Sequence, residues 1–243
     1  MINPGFMNLK DIQDEAGFGH FDLGLTEAQH EVLAKMRVND TNIYDNYGEI
    51  DTVERDIVGF FEGLGNHHEA AKEQASIVAG LIHQTIAGFK SETAWITIRA
   101  SEPTDFFNIP RWHIDGRFYE SDGEEQMKAV IALKGDGTLL NRLPVEKRAD
   151  FMEALSADVD EAECRQRCMQ IVEPAHTETT PPGCGTVFIV GSERAAVHSE
   201  PPIAEERIFL SIVPGNKEQI TALRERHGYV RQAGSPTLPI CTP

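Results

Sequence analysis

The second half of the chain is written in short runs of β-branched and aromatic residues: 93–100 (TAWITIRA), 129–133 (AVIAL), 186–190 (TVFIV), 195–198 (AAVH) and 207–213 (RIFLSIV). Runs of this length and composition are strands, not helices. Tight-turn signals punctuate them at Gly135-Asp136-Gly137, Pro181-Pro182-Gly183 and Pro214-Gly215. A parallel sheet needs a long crossover, usually a helix, between successive strands. These runs do not alternate with helices one for one, so the fold class is α+β, not alternating βαβ, and the sheet should be antiparallel. Short strands joined by glycine and proline turns suit a sandwich or a jelly roll.

The first ninety or so residues read as helical. Thr26-Glu27-Ala28-Gln29 is a capping-box pattern that opens an amphipathic run to about Val38. A second run covers about 51–64 and ends at Gly65, and Asn66 with Glu69 has the form of another box at the start of the longest helix. In that helix Val78, Leu81, Ile82, Thr85, Ile86 and Phe89 follow the 3.6-residue period and make one apolar stripe. His67, His68 and His83 lie off the stripe, where a solvated face is expected. An acidic helical insertion at about 145–171 interrupts the strands, and Asn216 caps a short helix that Gly228 closes. The expected organisation is a helical segment, 1–92, packed on a core, 93–230, with a loose tail, 231–243, rich in glycine, serine and proline.

Composition removes several functions. The 243 residues carry 22 basic and 39 acidic side chains, a formal charge of −17. Such a surface repels phosphate backbones and anionic lipids, so neither nucleic acid nor membrane is expected as a partner. No apolar run is long enough for a membrane span, and the start, MINPGFMNLKDIQDE, lacks the basic and apolar stretches of a secretory signal. A cytoplasmic location is the expectation. The four cysteines do not form a disulfide framework. Cys164, Cys168 and Cys184, with His176, are residue types found in zinc sites, but their spacing lacks paired knuckles, and Cys164 and Cys168 fall four apart on a helix, where buried thiols are common.

His-x-Asp/Glu, a metal-chelating pattern, occurs five times: His20/Asp22, His67/Glu69, His113/Asp115, His176/Glu178 and His198/Glu200. Nine histidines among 39 acids in 243 residues yield about 1.4 matches by chance, so context must choose. Chelation by residues i and i+2 needs an extended backbone, where both side chains leave one face. His67/Glu69 starts a helix, His20/Asp22 lies between glycines without a strand pattern, and His176/Glu178 sits in a Pro/Thr-rich loop. His113/Asp115 is flanked by Trp112, Ile114 and Phe118, which makes the opposite face apolar. A two-histidine, one-carboxylate iron site needs a third ligand and keeps the remaining positions open. His198, ending a short strand, supplies one.

Arg207 follows nine residues after His198. In RIFLSIV, Arg207, Phe209 and Ser211 share one face, and Ile208, Leu210 and Ile212 share the other. A guanidinium facing a barrel interior needs an anion, because an unpaired buried charge is very costly. The partner is an acid of the chain, Glu205 or Glu206 at the surface being the simplest, or a dicarboxylic acid from outside.

HID at 113–115, His198, Arg207 and the run PPGCGTVFIVGSERAAVHSEPP together resemble the iron(II)- and 2-oxoglutarate-dependent dioxygenases. Their shared core is a double-stranded β-helix (jelly roll). RWHIDGRFY, IALKGDGTLL and VHSEPP are similar, more narrowly, to a little-studied group of bacterial proteins of unknown function. The resemblance covers about 93–215 and leaves the helical N-terminus aside. It implies Fe(II) held by His113, Asp115 and His198, 2-oxoglutarate as cosubstrate with its far carboxylate on Arg207 and a hydrogen bond from Ser211, and hydroxylation of a small molecule or an amino-acid side chain. Arg99, Asn141 and Arg142 are further candidate contacts. The alternatives are a cupin-like metal-binding protein that does not use 2-oxoglutarate, and a non-catalytic interaction module on the same fold.

Overall fold

The computed structural model describes residues 4–11, 14–120 and 125–228. In chain order its elements are β1 (Phe18–Asp22), α1 (Glu27–Ala34), β2 (Asn42–Tyr47), α2 (Val53–Gly63), α3 (His68–Gly88), β3 (Thr93–Ser101), β4 (Gln126–Lys134), β5 (Leu139–Asn141), α4 (Val145–Ser156), α5 (Glu161–Ile171), β6 (Thr177–Thr179), β7 (Cys184–Val190), β8 (Val197–Ser199), β9 (Arg207–Gly215) and α6 (Lys217–His227). Six strands make one sheet, ordered β1-β7-β4-β9-β3-β2, and β6-β5-β8 make a second. Every pairing is antiparallel.

The inner face of the large sheet and the small sheet enclose Phe18, Val130, Leu140, Phe188, Val190 and Ala196. On the outer face, Ile96, Ile98, Ala129, Ile131, Val187, Ile208, Leu210 and Ile212 pack against Ile57 and Phe61 of α2 and Ala75, Val78 and Ile82 of α3. A sheet covered on both sides needs apolar residues at almost every position, which is why β4 and β9 read as near-continuous apolar runs. The molecule is thus a double-stranded β-helix braced by the N-terminal helices and joined by an inserted helix pair. The stripe of α3 is buried as its period requires, whereas His67, His68 and His83 are exposed.

Two expectations change. The first ninety residues are not purely helical, because they supply both edge strands of the large sheet. β1 pairs with β7, and β2 pairs with β3. Neither carries a clean apolar alternation: β1 is FGHFD, and β2, NIYDNY, has a single buried residue, Asn46. Edge strands have one side unpaired and tolerate the Asn, Asp and Gly that a central strand excludes. Asn66 is not the cap of α3 either. His67 occupies that position without a side-chain bond, while the buried Asn66 amide holds the main chain of Arg37 and the Phe61 carbonyl. The capping box at Thr26 and the cap at Asn216 form as expected, and Gln219 makes the latter a box as well. The insertion is two helices, packed around Phe151, Ala154 and Cys168 against Trp112, Leu143 and Val197. The tail 231–243 lies outside the described residues.

Candidate metal centre

His113 is drawn into the small sheet by an isolated antiparallel bridge to His198. The two residues exchange both main-chain bonds at 2.9 Å. With 113 opposite 198, residues 111 and 115 fall opposite 200 and 196, and every second side chain leaves the same face. One face of this ribbon therefore carries Arg111 with Glu200, then His113 with His198, then Asp115. The outer pair closes as an ion pair of 2.7 Å. The Asp115 carbonyl accepts from Gly191 N at 2.8 Å, which ties this segment to the turn after β7.

The three candidate ligands converge. His113 Nε2 stands 3.8 Å from Asp115 Oδ1, and His198 Nε2 stands 3.8 Å from Asp115 Oδ2. Among the described residues this is the one group of three or more histidine, cysteine or acidic side chains that could hold a metal ion. Both imidazoles are set in the tautomer a metal requires. His113 Nδ1 is 2.7 Å from the Arg111 carbonyl, and His198 Nδ1 is 3.0 Å from the Ala196 carbonyl. A carbonyl can only accept, so each Nδ1 carries the proton and each Nε2 presents a bare lone pair toward Asp115. Burial keeps the rings neutral. It pushes His113 down to about 3, with help from His198 and Arg111, and lowers His198 as well. Two neutral imidazoles and a carboxylate are a fitting donor set for Fe(II).

Lys128 completes this corner. Its Nζ lies 2.9 Å from Asp115 Oδ2, and 5.9 and 5.7 Å from the ring centres of Phe118 and Phe188. Burial alone would raise the Asp115 pKa, but Lys128 and the two histidines pull the carboxyl well below the usual carboxylate range. The residue escapes notice in the sequence because AVIAL looks wholly apolar. Read two residues earlier, Lys128 shares the inward parity of Val130, opposite to Met127 and Ala129.

The triad opens into a cavity also lined by Arg99, Ser101, Thr138, Phe188, Arg207 and Phe209. Arg207 is only 6% exposed. Its Nε donates to the Asp136 carbonyl at 2.9 Å, and its guanidinium lies 4.5 Å over the Phe209 ring. No carboxylate among the described residues closes an ion pair with it. Burial pushes its pKa down to about 10 although Glu200 and Asp136 act through space to support the charge. Of the two surface partners weighed for it, Glu206 pairs with Lys134 at 2.6 Å instead, and Glu205 closes no ion pair with it.

The remaining candidates separate. Ser211 shares the Arg207 face of β9 but lies deeper, opposite Thr97 and Val130, and does not line the cavity. Arg99 lines it, and Ser101 stands opposite Arg207 in register. Asn141 is buried and donates to Glu173 O and Thr177 Oγ1, while Arg142 pairs with Asp14 and Glu178. Trp112 packs in the core beneath the insertion. His20 sits on β1 beside Thr186 Oγ1 at 2.9 Å. Cys164, Cys168, His176 and Cys184 do not gather: Cys168 is buried in α5, which pushes its thiol up to about 12, and Cys184 begins β7. Arg111 and Glu200, the other missed pair, become visible only once the bridge sets the register.

No family model matches the chain, and no curated protein matches it. Among solved structures it is similar to a prolyl-4-hydroxylase from Pseudomonas putida, at 13% identity over 89% of this chain and 99% of that one, with a TM-score of 0.41. It is also similar to the non-haem α-ketoglutarate-dependent carbocyclase SnoK of nogalamycin biosynthesis, at 14% identity over 85% of each chain and a TM-score of 0.43. A third is the Kdo hydroxylase KdoO, a non-haem Fe(II) α-ketoglutarate-dependent dioxygenase, at 11% identity over 95% of this chain and 92% of that one, with a TM-score of 0.40.

Proposed function

We propose that the chain is a non-haem Fe(II)- and 2-oxoglutarate-dependent oxygenase that hydroxylates a small molecule or an amino-acid side chain. The observation that carries this reading is a buried guanidinium, Arg207, without a carboxylate of its own, in the same cavity as two histidines whose Nε2 lone pairs face a carboxylate. Unpaired, that charge is expensive to keep out of water. A dicarboxylate bound beside the triad answers the cost.

His113, Asp115 and His198 would hold the iron. Fe(II) bound there would supply the chemistry that couples oxidative decarboxylation of 2-oxoglutarate by dioxygen to hydroxylation of a substrate C–H bond. The chain's own part is to place charges and exclude water. Carbonyls 111 and 196 fix the ring tautomers, and Lys128 fixes Asp115. Arg207 offers a planar fork to the far carboxylate of the cosubstrate. Phe188, Phe209 and Val130 line the cavity with carbon and keep its interior dry.

One observation favours a second reading. Lys128 already balances Asp115, so the fold stands without a cation, as a non-catalytic module would. Thermal unfolding with Mn(II), then 2-oxoglutarate, separates the two. The oxygenase reading expects Tm to rise by about 5 °C or more at each step at a hundredfold excess over Kd. His113→Ala should abolish both responses and Arg207→Met only the second. Indifference of the unaltered protein to Mn(II), Fe(II) and 2-oxoglutarate alike would leave the metal-free reading standing.

A further inference from the structure

Asp115 borders two spaces. The cavity above is small, about 100 Å³. Asp115 also lines an open cleft of about 800 Å³, walled by Ile114–Gly116, by α4 and by the turn Gly191–Arg194. Small-molecule sites fall in the range of roughly 300 to 1,000 Å³, so the cleft has the capacity that the cavity lacks.

Its wall combines an uncovered apolar surface with two arginines, Arg148 and Arg194. Val145 and Met152, on α4, stand 82% and 47% exposed, with the half-buried Ile114 beside them in the lining. Large apolar side chains left this bare on a helix whose opposite side is packed point to a surface meant to be covered. Arg148 is set among them. Its Nη1 donates to the Glu193 and Ala195 carbonyls at 2.7 and 3.0 Å, which holds the guanidinium against the turn after β7. Its Nη2 is shut off from water and has no acceptor. Arg194, on the facing turn, is engaged by Glu125. Glu15 and Glu193 also line the cleft, yet neither they nor any other carboxylate among the described residues closes an ion pair with Arg148. In a chain with 17 excess negative charges, a half-buried arginine held by carbonyls alone is poised for an anion from outside, as Arg207 is.

We propose that this cleft is the substrate site, and that it takes a small molecule with an apolar body and a single oxyanion, a carboxylate or a phosphate monoester. The apolar body lies on Ile114, Val145 and Met152, and the oxyanion meets Arg148. A molecule filling the cleft reaches Asp115, which is shared with the triad. As a statement about substrate, the assignment rests on the oxygenase reading; as a binding site, it can be tested alone.

The test uses the full chain without added iron and measures binding of decanoate, decyl phosphate and decanol by equilibrium dialysis. At least one of the two anions should bind at least tenfold more tightly than decanol, and Arg148→Gln should remove that advantage while leaving decanol unchanged. Should Arg148→Gln fail to fold, Val145→Glu serves instead, since a side chain this exposed can be replaced without touching the core. Its negative charge at the cleft should weaken the anion about tenfold more than it weakens decanol, which loses only the apolar contact with Val145. Anions that bind no better than decanol, or an advantage that survives both substitutions, would overturn the proposal. The Mn(II) and 2-oxoglutarate responses of the unaltered protein are read in parallel. Anion binding without them retains the cleft and removes the oxygenase reading; the reverse retains the oxygenase and removes the cleft.

Discussion

Around Asp115 a carboxylate, two neutral imidazoles and the Lys128 side chain share one dry corner, where burial lowers both imidazoles and Lys128 holds the carboxylate ionised. Removing the ammonium exposes the balance. Lys128→Met should destabilise the metal-free protein by about 3 kcal/mol, because a buried carboxylate loses its counter-ion. A divalent cation would take over that role, so Mn(II) should raise the Tm of Lys128→Met more than that of the unaltered protein. An equal rise in both would mean that Lys128 and the metal do not act on the same carboxylate. Acid tests the imidazoles. Folded, His113 stays neutral down to about 3, whereas the unfolded ring protonates near 6.5. Between those values the unfolded chain holds more protons, so stability is full above pH 6.5 and falls as the pH drops below it. His198 contributes in the same direction. Asp115 and Glu200, held ionised in the fold, add a further loss in the more acidic range where unfolded carboxyls protonate. Urea unfolding at pH 7 and pH 5 should show a smaller loss for His113→Asn than for the unaltered protein; equal losses would count against a neutral His113.

At the scale of elements, the centre depends on a three-residue strand, β8, and a single bridge, and both lean on the turn after β7. Gly191 has φ 64°, a region that favours glycine. A Cβ there would meet the Arg117 side chain and come within 2.8 Å of Arg117 N and Cα. Gly191→Ala should therefore push on the segment that carries Asp115, costing about 1 to 3 kcal/mol and weakening Mn(II) binding. Calorimetric titration that finds unaltered affinity would free Asp115 from the turn. The elements differ in how far they can be read from sequence. β4, β7 and β9 announce themselves because both of their faces are buried, and α3 because one face is. β1 and β2 are silent, since an edge strand is recognised by its neighbours β7 and β3 and not by its own composition. His113 and Asp115 also lie outside any long strand, so their pairing with β8 follows from context. Only the apolar flanks Trp112 and Ile114 hint at it in the sequence.

Over the whole molecule, the charge of −17 describes the exterior and says nothing of the interior, where Lys128, Arg99 and Arg207 line one cavity. His113, Asp115, His198 and Arg207 could be picked out as candidates from local context: the apolar flanks of 113–115, the short strand that His198 ends, and the alternation in β9. Lys128, Glu200 and the cleft beside α4 could not, because they arise from register across strands distant in the chain. No helix among the described residues is long and apolar enough to cross a membrane. The central claim is that Fe(II) and a 2-oxo diacid meet between the triad and Arg207. Visible absorption of the protein with Fe(II) and 2-oxoglutarate in the absence of oxygen tests it most directly. The charge-transfer band of a chelated 2-oxo acid should appear, vanish in His113→Ala, and need at least tenfold more 2-oxoglutarate in Arg207→Met. Bound iron without that band, or a band indifferent to Arg207, would contradict it.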